Sequence, residues 1–154
     1  MNRTLIGICL LLIASICTAQ KNEIYKKSIA SLQVVAGDDW LSPPITQLDG
    51  EPITIAFDDL THEYHRYTYT IEHCEADWST TTQLFASDYL DGFAEGNTID
   101  DVQKSINTKT LYTHYRLQIP NERCRLKMSG NYRLTVFDEN NDNEKILSAC
   151  FMVV

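Results

Sequence analysis

The chain has 154 residues, 44% of them hydrophobic, with 13 basic and 21 acidic side chains and a formal net charge of −8. That length supports one domain with a real core, and the apolar fraction excludes wholesale disorder. Five Cys, four Pro and six Gly exclude collagen and a dense disulfide scaffold. The acidic balance excludes a general nucleic-acid binder, which needs a basic surface to reach phosphates, and it opposes docking on anionic lipid.

The chain opens with MNRTLIGICLLLIASICTAQ. Arg3 supplies a positive start, the uncharged run from Leu5 to Ile16 is too short to cross a bilayer, and the small Ala19 suits a cleavage site. Residues 1–19 therefore read as a secretory signal peptide. Cys17 is preceded by Ile16 and, three places back, by Ala14, which departs from the small residue and Leu of a lipid-attachment site. No later stretch is long and apolar enough to span a membrane. Residues 20–30 read as a lead segment and 31–154 as one domain.

The domain reads as strands. Ser31 to Val35 is a short candidate. Ile53 to Phe57 alternates, placing Ile53, Ile55 and Phe57 on one face, and the prolines at 43, 44 and 52 fit its approach. Tyr64 to Cys74 puts His65, Tyr67, Tyr69, Ile71 and His73 on one face and Arg66, Thr68, Thr70, Glu72 and Cys74 on the other. Aromatic and threonine alternation favours sheet over helix. Leu111 to Ile119 repeats the pattern, with Leu111, Thr113, Tyr115, Leu117 and Ile119 together. Cys124 to Met128, Tyr132 to Val136 and Ile146 to Val154 complete the set, the last two separated by a polar DENNDNE hairpin loop. Seven short strands with turn signals between them predict an all-β fold, an antiparallel β-sandwich of immunoglobulin or fibronectin type III kind. Tyr67, Tyr69, Ile71, Tyr115, Tyr132 and Phe151 are the expected structural residues.

Glu75 to Thr110 breaks this rhythm. It is too long for a structureless loop, so a folded crossover is expected, with a helical turn within Thr82 to Tyr89. Leu84, Phe85, Tyr89, Leu90 and Phe93 are expected to bury.

Chemical constellations are sparse. His65 and His73 share a face but stand about 26 Å apart along a strand, so they cannot ligate one ion. His114 could pair across the sheet near Asp58 or Asp59. Zinc needs three or four convergent ligands, so no metal is expected. Asp138, Asn140, Asp142 and Glu144 alternate like an oxygen cage, yet Asn143 and Ala149 stand where a calcium loop needs Gly and Glu. A solvated hairpin is the reading. No facing carboxylate pair, G-x-S-x-G, H-E-x-x-H or phosphate-cradling glycine loop is present, so no enzyme or cofactor is expected. Cys74, Cys124 and Cys150 remain after cleavage, an odd number, which leaves open one disulfide or three small hydrophobes in strands. Trp40, Trp78, Tyr89 and Phe93 stand among small polar residues, as contact sites for protein or glycan do.

In order along the chain stand ITIAFDDL (53–60), YTYTIEHCEADW (67–78), YLDGF (89–93), SINT (105–108), YTHY (112–115), Pro120-Asn121, SGNY (129–132) and the closing FMVV. Together these resemble the first domain of the plug protein of the type IX secretion system of Bacteroidota, across roughly residues 32–154. The resemblance implies a non-enzymatic periplasmic protein, peripheral to the outer membrane. Its partner would be the very large outer-membrane β-barrel translocon, whose periplasmic end it helps to close when the cargo-shuttle partner is absent. Further β-rich domains normally follow such a domain. Trp78, Tyr89 and Phe93 are then the candidate partner-binding residues. A carbohydrate-binding sandwich and a purely structural module are the alternatives, with a glycan not expected. Exposure of those three side chains discriminates among them.

Overall fold

In the strands Tyr67–Cys74 and Thr113–Ile119 buried side chains recur at nearly every second residue, so one face of each closes on a shared interior while the other is wetter, whereas Glu144–Val153 is buried on both faces from Ile146 to Phe151. The structure, a computed structural model, describes residues 22–154. The signal peptide expected over residues 1–19 lies outside them.

Among the described residues twelve strands and one helical turn are formed: β1 (Glu23–Ile24), β2 (Ile29–Ala36), β3 (Ile45–Thr46), β4 (Ile53–Asp59), β5 (Tyr67–Cys74), α1 (Ala86–Tyr89), β6 (Leu90–Gly92), β7 (Asn97–Thr98), β8 (Asp101–Lys104), β9 (Thr113–Ile119), β10 (Cys124–Leu126), β11 (Gly130–Asp138) and β12 (Glu144–Val153). One sheet runs β1-β12-β11-β5-β7, with β3 added alongside β12. The facing sheet runs β2-β4-β9-β8, and β10 and β6 form a separate ribbon. All pairings are antiparallel except β3 with β12. The fold is the expected all-β sandwich.

The interior is aromatic. From the second sheet, Phe57 stacks on Tyr115 with centroids 5.3 Å apart and planes at 9°. Tyr67, from the first sheet, meets Tyr115 edge-on at 4.7 Å. At the other end Tyr132 stacks on Phe151 at 5.6 Å, and His73 and Tyr89 add tilted contacts to this group. Phe57, Tyr67, Tyr69, Ile71, Tyr115, Tyr132 and Phe151 are all essentially sealed from solvent. Such pairs add about 0.5–1.5 kcal/mol each beyond the area they bury.

The seven expected strands all form, with shifted ends. Leu111 does not join β9. It is half exposed, because the 105–112 hairpin is closed ahead of it by the Ser105 N–H on the Tyr112 carbonyl and the Tyr112 N–H on the Ser105 hydroxyl, both at 2.9 Å. Within the lead segment expected over 20–30, the described residues 22–30 are tied to the sandwich. Glu23 and Ile24 pair with Ser148 and Leu147, and the Cys150 N–H donates to Asn22 Oδ1 at 2.8 Å. The crossover folds as α1, β6, β7 and β8. Of its five large apolar residues, Tyr89 and Leu90 are buried and Leu84 packs against the core, but Phe85 and Phe93 face solvent.

Phe57→Ala is expected to cost about 3–5 kcal/mol, because it removes the ring on which both Tyr67 and Tyr115 pack. Equilibrium urea unfolding monitored by circular dichroism measures this. A cost below about 1 kcal/mol would contradict the inter-sheet aromatic contact.

Candidate functional site

β5 ends at Cys74 and the chain reverses through residues 75–79. The Asp77 carboxylate accepts from the Ser79 N–H at 3.0 Å and its hydroxyl at 2.6 Å, while the Trp78 N–H donates to the Glu75 carbonyl at 3.0 Å. This turn holds Trp78 at φ +66°, a left-handed conformation that costs a bulky L-residue about 1–2 kcal/mol. Arg133 on β11 clamps it. One guanidinium nitrogen donates to the Trp78 carbonyl at 3.2 Å, and the group also bonds Glu72 at 3.0 Å and the Thr80 hydroxyl at 2.6 Å. The Trp78 side chain is half-buried.

Phe93 follows β6. Gly92, at φ +107°, brings the backbone so close to β10 that a Cβ there would run into the Arg123 carbonyl. The Phe93 N–H donates to that carbonyl at 3.0 Å, Asn97 Nδ2 donates to the Phe93 carbonyl at 2.7 Å, and the ring is left 70% exposed. Tyr89 behaves differently. It ends α1 facing inward, packs on His73 and Tyr132, and is only 8% exposed. Its burial removes it from the surface aromatics, and it also removes one of the coplanar rings that a glycan platform needs. Phe85, which the sequence pattern assigned to the interior, is the second bare ring of the crossover.

At the opposite end lies a buried polar network that the strand pattern did not reveal. Asp59 is completely buried and accepts from the Tyr67 hydroxyl at 2.7 Å and the Thr61 N–H at 3.0 Å. Asp138 is 1% exposed and accepts from Lys26 Nζ at 2.8 Å and the Asn140 N–H at 3.2 Å. The His65 ring sits between them, 3.7 Å from Asp59 and 3.3 Å from Asp138. Tyr115 ties down the His65 backbone, accepting from its N–H at 2.8 Å and donating to its carbonyl at 3.1 Å. Burial pushes the Asp59 carboxyl up, but the Thr61 N–H, the Tyr67 hydroxyl and His65 outweigh it and hold the carboxyl below its ordinary range. Burial likewise lowers Lys26, and the bond and charge of Asp138 turn that into a net rise. Burial, then the bond to Asp59, raises Tyr67, and burial pushes Tyr115 up to about 12. Each oxygen of the Asp59 and Asp138 carboxylates accepts a hydrogen bond, two of them from backbone N–H groups of the adjoining turns, so the arrangement fixes loops.

The remaining motifs resolve simply. His65 and His73 sit in the two different aromatic groups, and His114 Nδ1 lies 2.7 Å from Asp58 Oδ1. Among the described residues no three His, Cys, Asp or Glu side chains converge as a metal ion would require. The 138–144 hairpin turns through Asp142 and Asn143 at positive φ, closed by Asn141 Nδ2 on the Glu144 carboxylate at 2.7 Å. Cys74, Cys124 and Cys150 are all buried in strands, and burial pushes the Cys74 and Cys124 thiols up to about 11. A cleft of about 270 Å³ is lined mostly by polar and charged residues, among them Asp100, Arg116, Gln118 and Arg123, and the one ring on its wall, Tyr69, is buried. No helix among the described residues is long and apolar enough to cross a membrane.

Residues 29–154 match the family model described as type 9 secretion system plug protein, first domain. A crystal structure of a hypothetical protein from Parabacteroides merdae ATCC 43184 superposes with a TM-score of 0.82 at 42% identity, over 88% of this chain and 34% of that one. This chain thus spans about a third of the length of that relative. No curated protein matches it.

Two outcomes follow from the site. Asp59, whose folded pKa is lowered, contributes stability that is fully present above its unfolded value near 3.8 and is lost as pH falls through the folded value. Lys26, Tyr67 and Tyr115, whose folded pKa values are raised, contribute stability present below about pH 10 and lost as pH climbs beyond it. Thermal unfolding against pH should therefore show a plateau with an acid limb, and Asp59→Asn should flatten that limb while lowering the plateau. An unchanged acid limb would contradict the role given to Asp59. In native protein at pH 8, peptides holding Cys74 and Cys124 should resist iodoacetamide and label fully after unfolding, as mass spectrometry can read. Native labelling at the unfolded rate would contradict their burial.

Proposed function

This chain belongs to the type 9 secretion system plug family, and we propose that it acts as a non-enzymatic periplasmic accessory of that system, peripheral to the outer membrane. In this reading it associates with the β-barrel translocon and helps to close its channel. The observation that carries the reading is the family match over residues 29–154, which takes in both sheets and the whole crossover. A plug works by occupying space. A sandwich whose strands are knitted across two sheets, with an aromatic interior between them, presents a body that a channel cannot easily thread.

The contact surface in this proposal is the crossover. Phe93 is bare, and Trp78 is held by the Arg133 clamp in a conformation that its own side chain disfavours. Backbone strain maintained by surrounding bonds often accompanies a functional position, and aromatic side chains dominate the energetics of protein contacts.

Co-purification of the translocon barrel with the tagged chain from detergent-solubilised outer membranes tests this. The parent chain is expected to retain the barrel. Phe93→Ser combined with Trp78→Gly should reduce retention at least tenfold while the circular-dichroism spectrum stays that of the folded sandwich, since Gly accepts the left-handed turn and the Phe93 ring is 70% exposed. Failure of the parent chain to retain the barrel would overturn the association. Undiminished retention by the double variant would move the contact away from the crossover.

A further inference from the structure

Between Lys27 and Arg66 the chain contains no lysine or arginine, and seven acidic residues fall in that interval. Four of them, Asp38, Asp39, Asp49 and Glu51, lie on the loops that join β2, β3 and β4. These loops close around the end of β12. Ile45 and Thr46 pair with Met152 and Val153. The Met152 N–H donates to the Pro44 carbonyl at 3.0 Å, the Val154 N–H to the Thr46 carbonyl at 2.9 Å, and the Leu48 N–H to the Val154 carbonyl at 3.2 Å.

On this end of the sandwich Trp40 is 72% exposed and Leu41 77%, with Ile45 and Val154 also exposed. A cleft of about 540 Å³ opens beside them, walled by Asp38, Asp39, Ile45 and Glu51. The Asp39 carboxylate is engaged by the Leu41 N–H and the Ser42 hydroxyl. Among the described residues, the side-chain carboxylates of Asp38 and Glu51 meet no cation and no hydrogen-bond donor, while the Glu51 backbone carbonyl accepts from the Thr46 hydroxyl at 2.7 Å. The face therefore joins two bare apolar side chains to two unneutralised carboxylates, on loops anchored to the last strand.

We propose that this face is the seat of the domain that follows the first domain in plug proteins. That domain would lay apolar side chains on Trp40 and Leu41 and place a lysine or arginine in the cleft between Asp38 and Glu51. The inference rests on the family membership. The matching model is that of a first domain, and the match to the solved relative accounts for only 34% of that longer chain. In this fold β12 delivers the backbone, at Val154, into the face itself. A second copy of the chain fits poorly, because a symmetric contact would set Asp38, Asp39 and Glu51 against their own counterparts, and like charges across an interface repel.

The test is a chimera in which residues 20–154 replace the matching first domain of the Parabacteroides merdae relative. Protease cleavage at the junction after Val154 and the radius of gyration from X-ray scattering are the readouts. The parent chimera should be compact and resistant. Trp40→Ser with Leu41→Ser, and separately Asp38→Lys with Glu51→Lys, should each speed junction cleavage at least tenfold and expand the particle. In the isolated chain the same substitutions should leave the melting temperature nearly unchanged, because these side chains are exposed. A parent chimera cut freely at the junction, or variants cut no faster than the parent, would overturn the proposal. A dimer of the isolated chain that dissolves on Trp40→Ser with Leu41→Ser would overturn it in favour of a second copy. Translocon retention, read through Phe93 and Trp78, does not involve this face, so the two readings fail independently.

Discussion

The contact among Phe57, Tyr67 and Tyr115 is the constraint on which the rest of the structure depends. Phe57 and Tyr115 come from neighbouring strands of one sheet, and Tyr67 comes from the other. Their packing sets the spacing of the two layers. Their hydroxyls then do a second job. Tyr67 reaches Asp59 and Tyr115 reaches the His65 backbone, so the rings that join the sheets also fix the loop between β4 and β5. A buried hydroxyl without a partner would cost free energy. Here each hydroxyl meets a group that also needed a partner.

The two ends of the sandwich consequently differ in character. One end is closed by Asp59, Asp138, His65 and Lys26, a network with both signs of charge and a donor on each carboxylate oxygen. Removing water from carboxylates is expensive unless donors replace it, and these donors explain why two buried aspartates are tolerated. The other end is open. It carries the loops around β12, the Trp78 turn and the exposed rings of the crossover. Rigidity at the first end and bare aromatic surface at the second together make an oriented module, with a fixed core and a face suited to contact.

Membership of the plug family gives that orientation a context. The chain matches the family model of a first domain, and its match to the solved relative covers 34% of that chain. A domain of this family has to hold its own shape and to present surfaces for contact. Shape here comes from pairing β12 with β11, β1 and β3, so that the last strand is locked on both sides. Surface comes from the segment between β5 and β9, which contributes short strands to both sheets and leaves rings uncovered as it passes.

The long strands were legible in the sequence because alternation is a local property. Tyr67, Tyr69 and Ile71 declare their face through their spacing, and so do Ile53, Ile55, Phe57 and the partners of Tyr115. The hairpin at 138–144 was legible for the same reason, through its polar run. The crossover was legible only as a region that had to fold. Whether Tyr89 or Phe93 turns inward depends on Gly92, on the pairing of β6 with β10, and on the Arg123 carbonyl thirty residues downstream. No window of sequence contains those three together. Asp59 and Asp138 were equally hidden, since an aspartate beside a turn reads as solvated until distant Lys26 and His65 are brought over it. Sequence alone determined which residues alternate, and hence a sandwich. Tertiary structure decided which isolated rings and charges are buried, because that depends on partners far away in the chain.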